Sequence, residues 1–261
     1  IIDADSSQIE ARVLAWLAGQ DDLTNAFAKG EDVYKKMASR IYGVAESDVT
    51  KDQRFVGKTT ILGAGYGMGA QKFQDQLNTF GFQLELGEAR RVIKIYRETN
   101  YNINKLWREA QQTLPLLHAP PRDSKVSLGC HDALTIEDGK IRLPSGLYIR
   151  YEDLRFDQTD KGVEFHYKTR RGRTRIYGGK IIENVCQAIA RCIIGEQMLQ
   201  IAKKYKVVLT VHDSIACCVK DEEVAEAQEF IESRMRWTPD WAKGLPIDCE
   251  SGAGKSYGDC E

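Results

Sequence analysis

No apolar run in this chain approaches the roughly 20 residues that a membrane-spanning helix needs, and no internal repeat or low-complexity segment interrupts it. Charge of one sign is also missing: 37 basic residues meet 38 acidic ones, for a formal net charge of -1. A generally basic nucleic-acid coat is thereby excluded, though a local basic patch is not. The seven cysteines are odd in number and none stands at CxxC spacing, which disfavours a disulfide scaffold and a zinc ribbon. They imply a reducing compartment, and with no membrane-length apolar run the expectation is a cytoplasmic protein with no membrane partner. Cys217 and Cys218 lie in an apolar stretch and read as small core residues. The chain opens Ile-Ile-Asp-Ala-Asp, with neither an initiator Met nor a signal-peptide pattern, and the expectation is that something precedes it. What is present is ordinary for a globular protein: 261 residues, 42% hydrophobic and 29% charged, enough for one large domain or two small ones.

Periodicity predicts a short strand over residues 1–4 and a helix from about Ser7 to Leu17, with Ile9, Val13, Leu14 and Leu17 as its apolar face. Further helical patterns cover Leu23–Tyr42, Asp52 to about Leu62, Gln71–Asn78 and Leu86 to about Leu114. Pro115 to Pro121 reads as a break, followed to about Arg175 by short alternating segments. A helix is expected over Ile181 to about Tyr205, then a hairpin whose apolar arms, 207–211 and 215–219, meet at the polar tip His212-Asp213. A last helix runs from Asp221 to about Arg236. This order is not an alternating βαβ pattern, so the expectation is α+β, an antiparallel sheet with a long helical insertion.

Two phosphate-loop look-alikes fail. Gly57-Lys58-Thr59 has Asp52 where the first glycine belongs, and Gly254-Lys255-Ser256 has Cys249 there. Gly63, Gly65 and Gly67 do not complete a dinucleotide fingerprint, because Met68 stands at the last glycine. Three other segments are polar where a structural role would be apolar. The first is Asp3 to Arg12, a strand end entering a helix. In the second, Arg54, Lys58, Leu62 and Tyr66, spaced by four, form one helical stripe drifting about 40° per step. The third is His212-Asp213. Two carboxylates at strand ends, far apart in sequence, suit divalent-metal phosphoryl transfer, and Arg54 with Lys58 suits a triphosphate. Taken singly, Asp5 as a helix cap, Asp213 as a turn residue and a solvated Arg54/Lys58 face are the simpler readings.

The local contexts are more specific. Asp5-Ser6-Ser7-Gln8-Ile9-Glu10-Ala11-Arg12 resembles motif A of the family A DNA polymerases. Arg54-x-x-x-Lys58 with Leu62-Gly63-x-x-Tyr66-Gly67 resembles their motif B, and Val211-His212-Asp213 their motif C. Gly178-Gly179-Lys180-Ile181-Ile182-Glu183-Asn184-x-x-Gln187-Ala188-x-Ala190-Arg191 is similar to the phage-type form of a helix whose Gln contacts template and primer. The resemblance covers nearly the whole chain and implies a right-hand polymerase architecture lacking the thumb. Residues 1–15 would be palm and 16–140 fingers, with the motif B helix at about 52–66. Residues 141–261 would be palm again, with the motif C hairpin at about 207–219.

It also implies roles. Asp5, the Ser6 carbonyl and Asp213 would hold two Mg²⁺ ions, with Mn²⁺ able to substitute. Arg54 and Lys58 would contact the dNTP, Lys58 also neutralising or protonating the leaving group. Gln8 and Leu62 would belong to the nucleotide site, with Glu10 as the gate against a ribose 2′-hydroxyl and Tyr66 against the nascent pair. Gln187 and His212 would touch primer-template DNA, and so would Arg170, Arg171 and Arg173 in the densest basic run, unless that run is a solvated hairpin. Two departures stand out: Leu62 replaces an aromatic residue, and Ser214 replaces the Glu that usually follows Asp213. A thumb- or exonuclease-bearing portion or chain on the N-terminal side would be a partner. Two other classes share these residues, a metal-dependent nuclease and a non-catalytic DNA-binding or assembly subunit.

Overall fold

The structure, a computed structural model, describes residues 1–160 and 162–260. The chain forms two compact units, one of residues 1–13 with 186–261, the other of residues 14–185.

The first unit is built on a four-stranded antiparallel sheet, ordered β11-β1-β10-β9. Its strands are β1 (Ile2–Ser6), β9 (Lys206–Val211), β10 (Ser214–Cys218) and β11 (Cys249–Ala253). Ile2 stands opposite Cys217 and Ala4 opposite Ile215. Residues directly opposed across a ladder share a face, so these four point one way. They pack with Cys249, with Ile194 and Ile201 of α8 (Gly178–Ile201) and with Ala227, Ile231 and Met235 of α9 (Val224–Met235). The same alternation turns Asp3 and Asp5 to the other face, opposite Ala216 and Ser214 on one side and Gly252 and Glu250 on the other. Period-two patterning thus produces a dry face and an acidic one. Burial pushes the Cys217 and Cys249 thiols up to about 11. Cys218 corrects the expectation of a second core thiol: one residue along the strand it faces outward and is exposed.

The second unit is mostly helical: α2 (Asp21–Ala28), α3 (Val33–Tyr42), α4 (Lys51–Thr59), α5 (Ala70–Thr79), α6 (Leu86–Thr99) and α7 (Tyr101–His118). The helix α1 (Ile9–Ala18) belongs to it from Leu14 onward. Two small antiparallel sheets, β2 to β5 within residues 125–150 and β6 to β8 within 155–176, complete it. Residues 141–185 therefore group with the helices, not with the sheet of β9 and β10 as the boundary at 141 had it.

Helix boundaries differ from the periodic reading where local chemistry intervenes. The expected helix over 23–42 is two, because Gly30 takes φ 67° and Asp32 caps a new start. Thr50 caps α4 in a capping box with Gln53. The pattern over 86–114 divides at Asn100, whose φ of -106° and ψ of 59° leave the helical region. It then continues through Pro115 to His118, although Pro lacks the N–H for the i−4 carbonyl. α8 starts three residues earlier than expected and ends at Ile201. Gly57 permits α3 and α4 to approach, since a Cβ there would collide with the Tyr34 carbonyl. Gly179 likewise sits against the Tyr66 carbonyl.

Candidate active site

β9 and β10 join through the two residues His212 and Asp213, Val211 pairing with Ser214. Because Ser214 also pairs with Asp5, the tip carboxylate lands one position from the end of β1. Ser6 N–H donates to the Asp213 carbonyl at 3.2 Å, which sets the Asp213 carboxyl beside that of Asp5. The Asp5 carboxyl is raised from 3.8 to about 6, first by desolvation and then by repulsion from Asp213, Asp3 and Glu250. Asp5 is exposed near the end of β1.

Beside this pair lies a cavity of about 510 Å³ lined by Ile9, Glu10, Gln187, Ala190, Arg191, Ile194, His212 and Asp213. Gln187, Ala190, Arg191 and Ile194 stand at i, i+3, i+4 and i+7, one face of α8. The site joins four expected residues, Glu10, Gln187, His212 and Asp213, to Arg191, to which sequence reasoning had given no role. The Arg191 guanidinium is exposed and makes no ion pair or hydrogen bond among the described residues. Its signal was available: a cation four residues after Gln187 on a helix otherwise rich in Ile and Ala.

Gln8 and His212 both adopt left-handed backbone, φ 51° and 53°. Such conformations cost non-glycine residues of order 1–3 kcal/mol and persist only where the surroundings impose them. At Gln8 the restraint is Arg12, buried at 4% exposure. Its guanidinium donates to the Ser7 carbonyl at 2.7 Å and the Pro246 carbonyl at 3.4 Å. Arg12 is a further residue the sequence reading left without a role.

The nucleotide-site candidates Arg54, Lys58, Leu62 and Tyr66 lie in the second unit. Lys58 and Leu62 are exposed and Arg54 and Tyr66 half-buried, while Val56, Gly57, Thr60, Ile61 and Ala64 are buried. Past Thr59 the helix widens into a π turn, Thr60–Ala64, whose smaller rotation per residue offsets the drift expected of a spacing of four. Trp107 Nε1 donates to the Gly65 carbonyl at 2.8 Å and fixes the end of this segment. Lys58 has no ion-pair partner among the described residues. Arg54 does have one: its Nε donates to Asp32 Oδ2 at 2.7 Å.

The basic run forms the hairpin of β7 (Gly162–Thr169) and β8 (Gly172–Ile176). Arg170 and Arg171 occupy its exposed turn. Arg173 is not available in the same way, being ion-paired to Asp153, and Arg175 pairs with Glu164 at 2.9 Å.

Among the described residues no group of three His, Cys, Asp or Glu side chains is placed to hold a metal ion. Asp5 and Asp213 lie together, with Asp3 and Glu250 as further like charges near Asp5. Asp3 Oδ1 and the Ser6 and Ser214 hydroxyls are buried without a hydrogen-bond partner among the described residues. Two ionisable carboxylates with unused oxygens do not make a closed cage. They do fit Mg²⁺, which takes one or two carboxylates and completes its shell from water and phosphate oxygens.

An antiparallel sheet with neighbouring strand-end carboxylates and a separate, mostly helical unit has a counterpart among solved structures. The POL domain of Pol1 from M. smegmatis, in complex with DNA primer-template and dNTP, superposes with a TM-score of 0.66 at 20% identity, over 98% of this chain and 39% of that one. Residues 1–115 match the family model for DNA polymerase family A. The DNA polymerase of Bacillus phage SP02 is 29% identical across 95% of this chain and 39% of its own length. That of Bacillus phage SP01 is 24% identical across 99% of this chain and 26% of its own. The chain is thus similar to DNA polymerase family A over residues 1–115, and it spans about two fifths or less of these relatives.

Proposed function

We propose that this chain carries the nucleotidyl-transfer site of a DNA polymerase, extending a primer 3′-hydroxyl with a dNTP and releasing pyrophosphate. The observation that supports it most is the contact between the Asp5 and Asp213 carboxyl groups beside a cavity lined by Glu10, Gln187 and His212. Two Mg²⁺ ions held by Asp5, the Ser6 carbonyl and Asp213, with Mn²⁺ as a substitute, would supply the positive charge that activates the hydroxyl and neutralises the leaving oxygen. Arg54 and Lys58 bind the triphosphate, and Lys58 protonates or neutralises the leaving pyrophosphate. Glu10, in the first turn of α1, crowds a ribose 2′-hydroxyl, with Gln8 in the turn just before the helix. Leu62 packs on the sugar and Tyr66 on the nascent pair. Gln187, His212 and Arg191 hold the primer-template, and Arg170 and Arg171 contact its backbone elsewhere.

A thumb- or exonuclease-bearing portion, on the same or another polypeptide, completes the enzyme in the cytoplasm of a bacterial or phage-infected cell. No helix among the described residues is long and apolar enough to cross a membrane. The test is Mg²⁺-dependent primer extension by the chain, alone and joined to the N-terminal portion of the phage SP02 relative, with Asp213→Ala as control. Extension that the substitution abolishes, while DNA binding survives, is the expected result. Extension indifferent to Asp213→Ala, or none in either form, would overturn the proposal.

A further inference from the structure

We infer that Asp32 is a positioning residue of the nucleotide site, holding the Arg54 guanidinium so that its two terminal nitrogens are presented to a polyphosphate. The inference rests on the reading of Arg54 given above.

Asp32 caps α3 with one oxygen: Oδ1 accepts the Tyr34 N–H at 3.1 Å and the Lys35 N–H at 3.0 Å. That contact alone satisfies the helix, and Ser, Thr or Asn would provide it as well. The second oxygen, Oδ2, is surplus to capping, and it accepts Arg54 Nε at 2.7 Å. The position of the carboxylate is therefore set by backbone N–H groups and not by its own rotamer. The Arg54 guanidinium carbon lies 5.3 Å from the centre of the Tyr34 ring, which backs it on one side. One turn further along α4, Gly57 lets the two helices touch at the Tyr34 carbonyl, so carboxylate, ring and arginine are carried on closely packed backbone.

With Nε engaged, Nη1 and Nη2 donate to nothing among the described residues. A monodentate contact at Nε leaves the planar fork open, and that fork is the geometry that binds phosphate oxygens in pairs. The pair is too exposed to matter much to the fold: the side chains of Arg54 and Asp32 are 41% and 32% exposed, and ion pairs of this kind add little stability. Its consequence is orientation. An arginine held in place before the ligand arrives does not lose its rotamer freedom on binding.

The test measures binding of dTTP and of inorganic tripolyphosphate to the whole chain by calorimetry. Asp32→Asn, Asp32→Ser, Arg54→Ala and the double variant Asp32→Asn/Arg54→Ala are compared with the parent. Asn and Ser still cap α3, so the melting temperature should hold. Dissociation constants for both ligands should rise roughly 3- to 10-fold, and Asp32→Asn should add nothing once Arg54 is gone. If Arg54→Ala weakens binding but Asp32→Asn and Asp32→Ser do not, the positioning role is refuted and the proposed function stands. If the Asp32 substitutions weaken binding equally in the Arg54→Ala background, Asp32 acts through the fold and the inference fails. If Arg54→Ala binds as the parent does, the assignment of Arg54 to the triphosphate fails, and this inference with it.

Discussion

Asp5→Asn should stabilise the metal-free protein at alkaline pH and leave it unchanged in acid. Asparagine is the permanently neutral isostere of a protonated aspartate. The folded state raises the Asp5 carboxyl from 3.8 to about 6, so the fold prefers that group neutral. The stabilising contribution of such a group is complete below the unfolded pKa and is lost as pH rises through the folded one, here between about 4 and about 6. At about 1.4 kcal/mol per unit, a shift of about two units corresponds to about 3 kcal/mol. Asp5 is exposed at its strand end, and screening there reduces the figure to about 1 kcal/mol. For a chain of this size that is about 2–4 °C in Tm. Scanning calorimetry in chelator at about pH 4 and about pH 8 measures it. Equal Tm at pH 4 and a variant melting 2–4 °C higher at pH 8 is expected, with a gap that narrows in about 1 M salt. A gap of the same size at both pH values, or a variant less stable at pH 8, would refute the account of Asp5 as an acid held among like charges.

Other perturbations have equally definite outcomes. Arg191→Ala should weaken primer-template binding and reduce the slope of log affinity against log salt by about 1, since one phosphate contact is lost; an unchanged slope in a filter-binding titration would remove Arg191 from the DNA contacts. Gly57→Ala forces a Cβ into the Tyr34 carbonyl and should destabilise by about 1–3 kcal/mol in denaturant unfolding, against a few tenths of a kcal/mol of gain if the helix interior were merely solvated. His212→Gly removes the cost of left-handed backbone at φ 53° and should stabilise by about 1 kcal/mol, while primer extension falls; loss of stability would show that the turn is not strained.

Much of the carboxylate site was legible in the sequence because its parts are local. The apolar arms 207–211 and 215–219 on either side of a polar pair announce a hairpin, and the hairpin tip fixes where Asp213 goes. Capping chemistry was legible in the same way, as the Thr50 to Gln53 box shows. What stayed hidden depends on partners distant in sequence. Asp32 and Arg54 are 22 residues apart, and nothing in either neighbourhood announces the pair. Arg173 sat in a basic run that suggested a phosphate contact, but Asp153, 20 residues back, had claimed it. The π turn after Thr59 and the helix through Pro115 went unread for a different reason: both are places where tertiary packing overrides local preference. Gly57 belonged to an apparent phosphate loop in the sequence and proved to be a helix-crossing residue.

The order of strands β11-β1-β10-β9 also governs when the acidic face can exist. β1 is made well before both its neighbours, which pair with it at residues 214–217 and 249–253. Loops of more than about 200 residues must close before the central strand gains either ladder, which makes its pairing slow. On the ribosome, then, Asp5 waits until roughly 200 further residues have been made before the carboxylate pair can assemble. A nascent chain interrupted anywhere before β10 has no tip carboxylate to set against Asp5, so a prematurely terminated product cannot carry a working copy of the site.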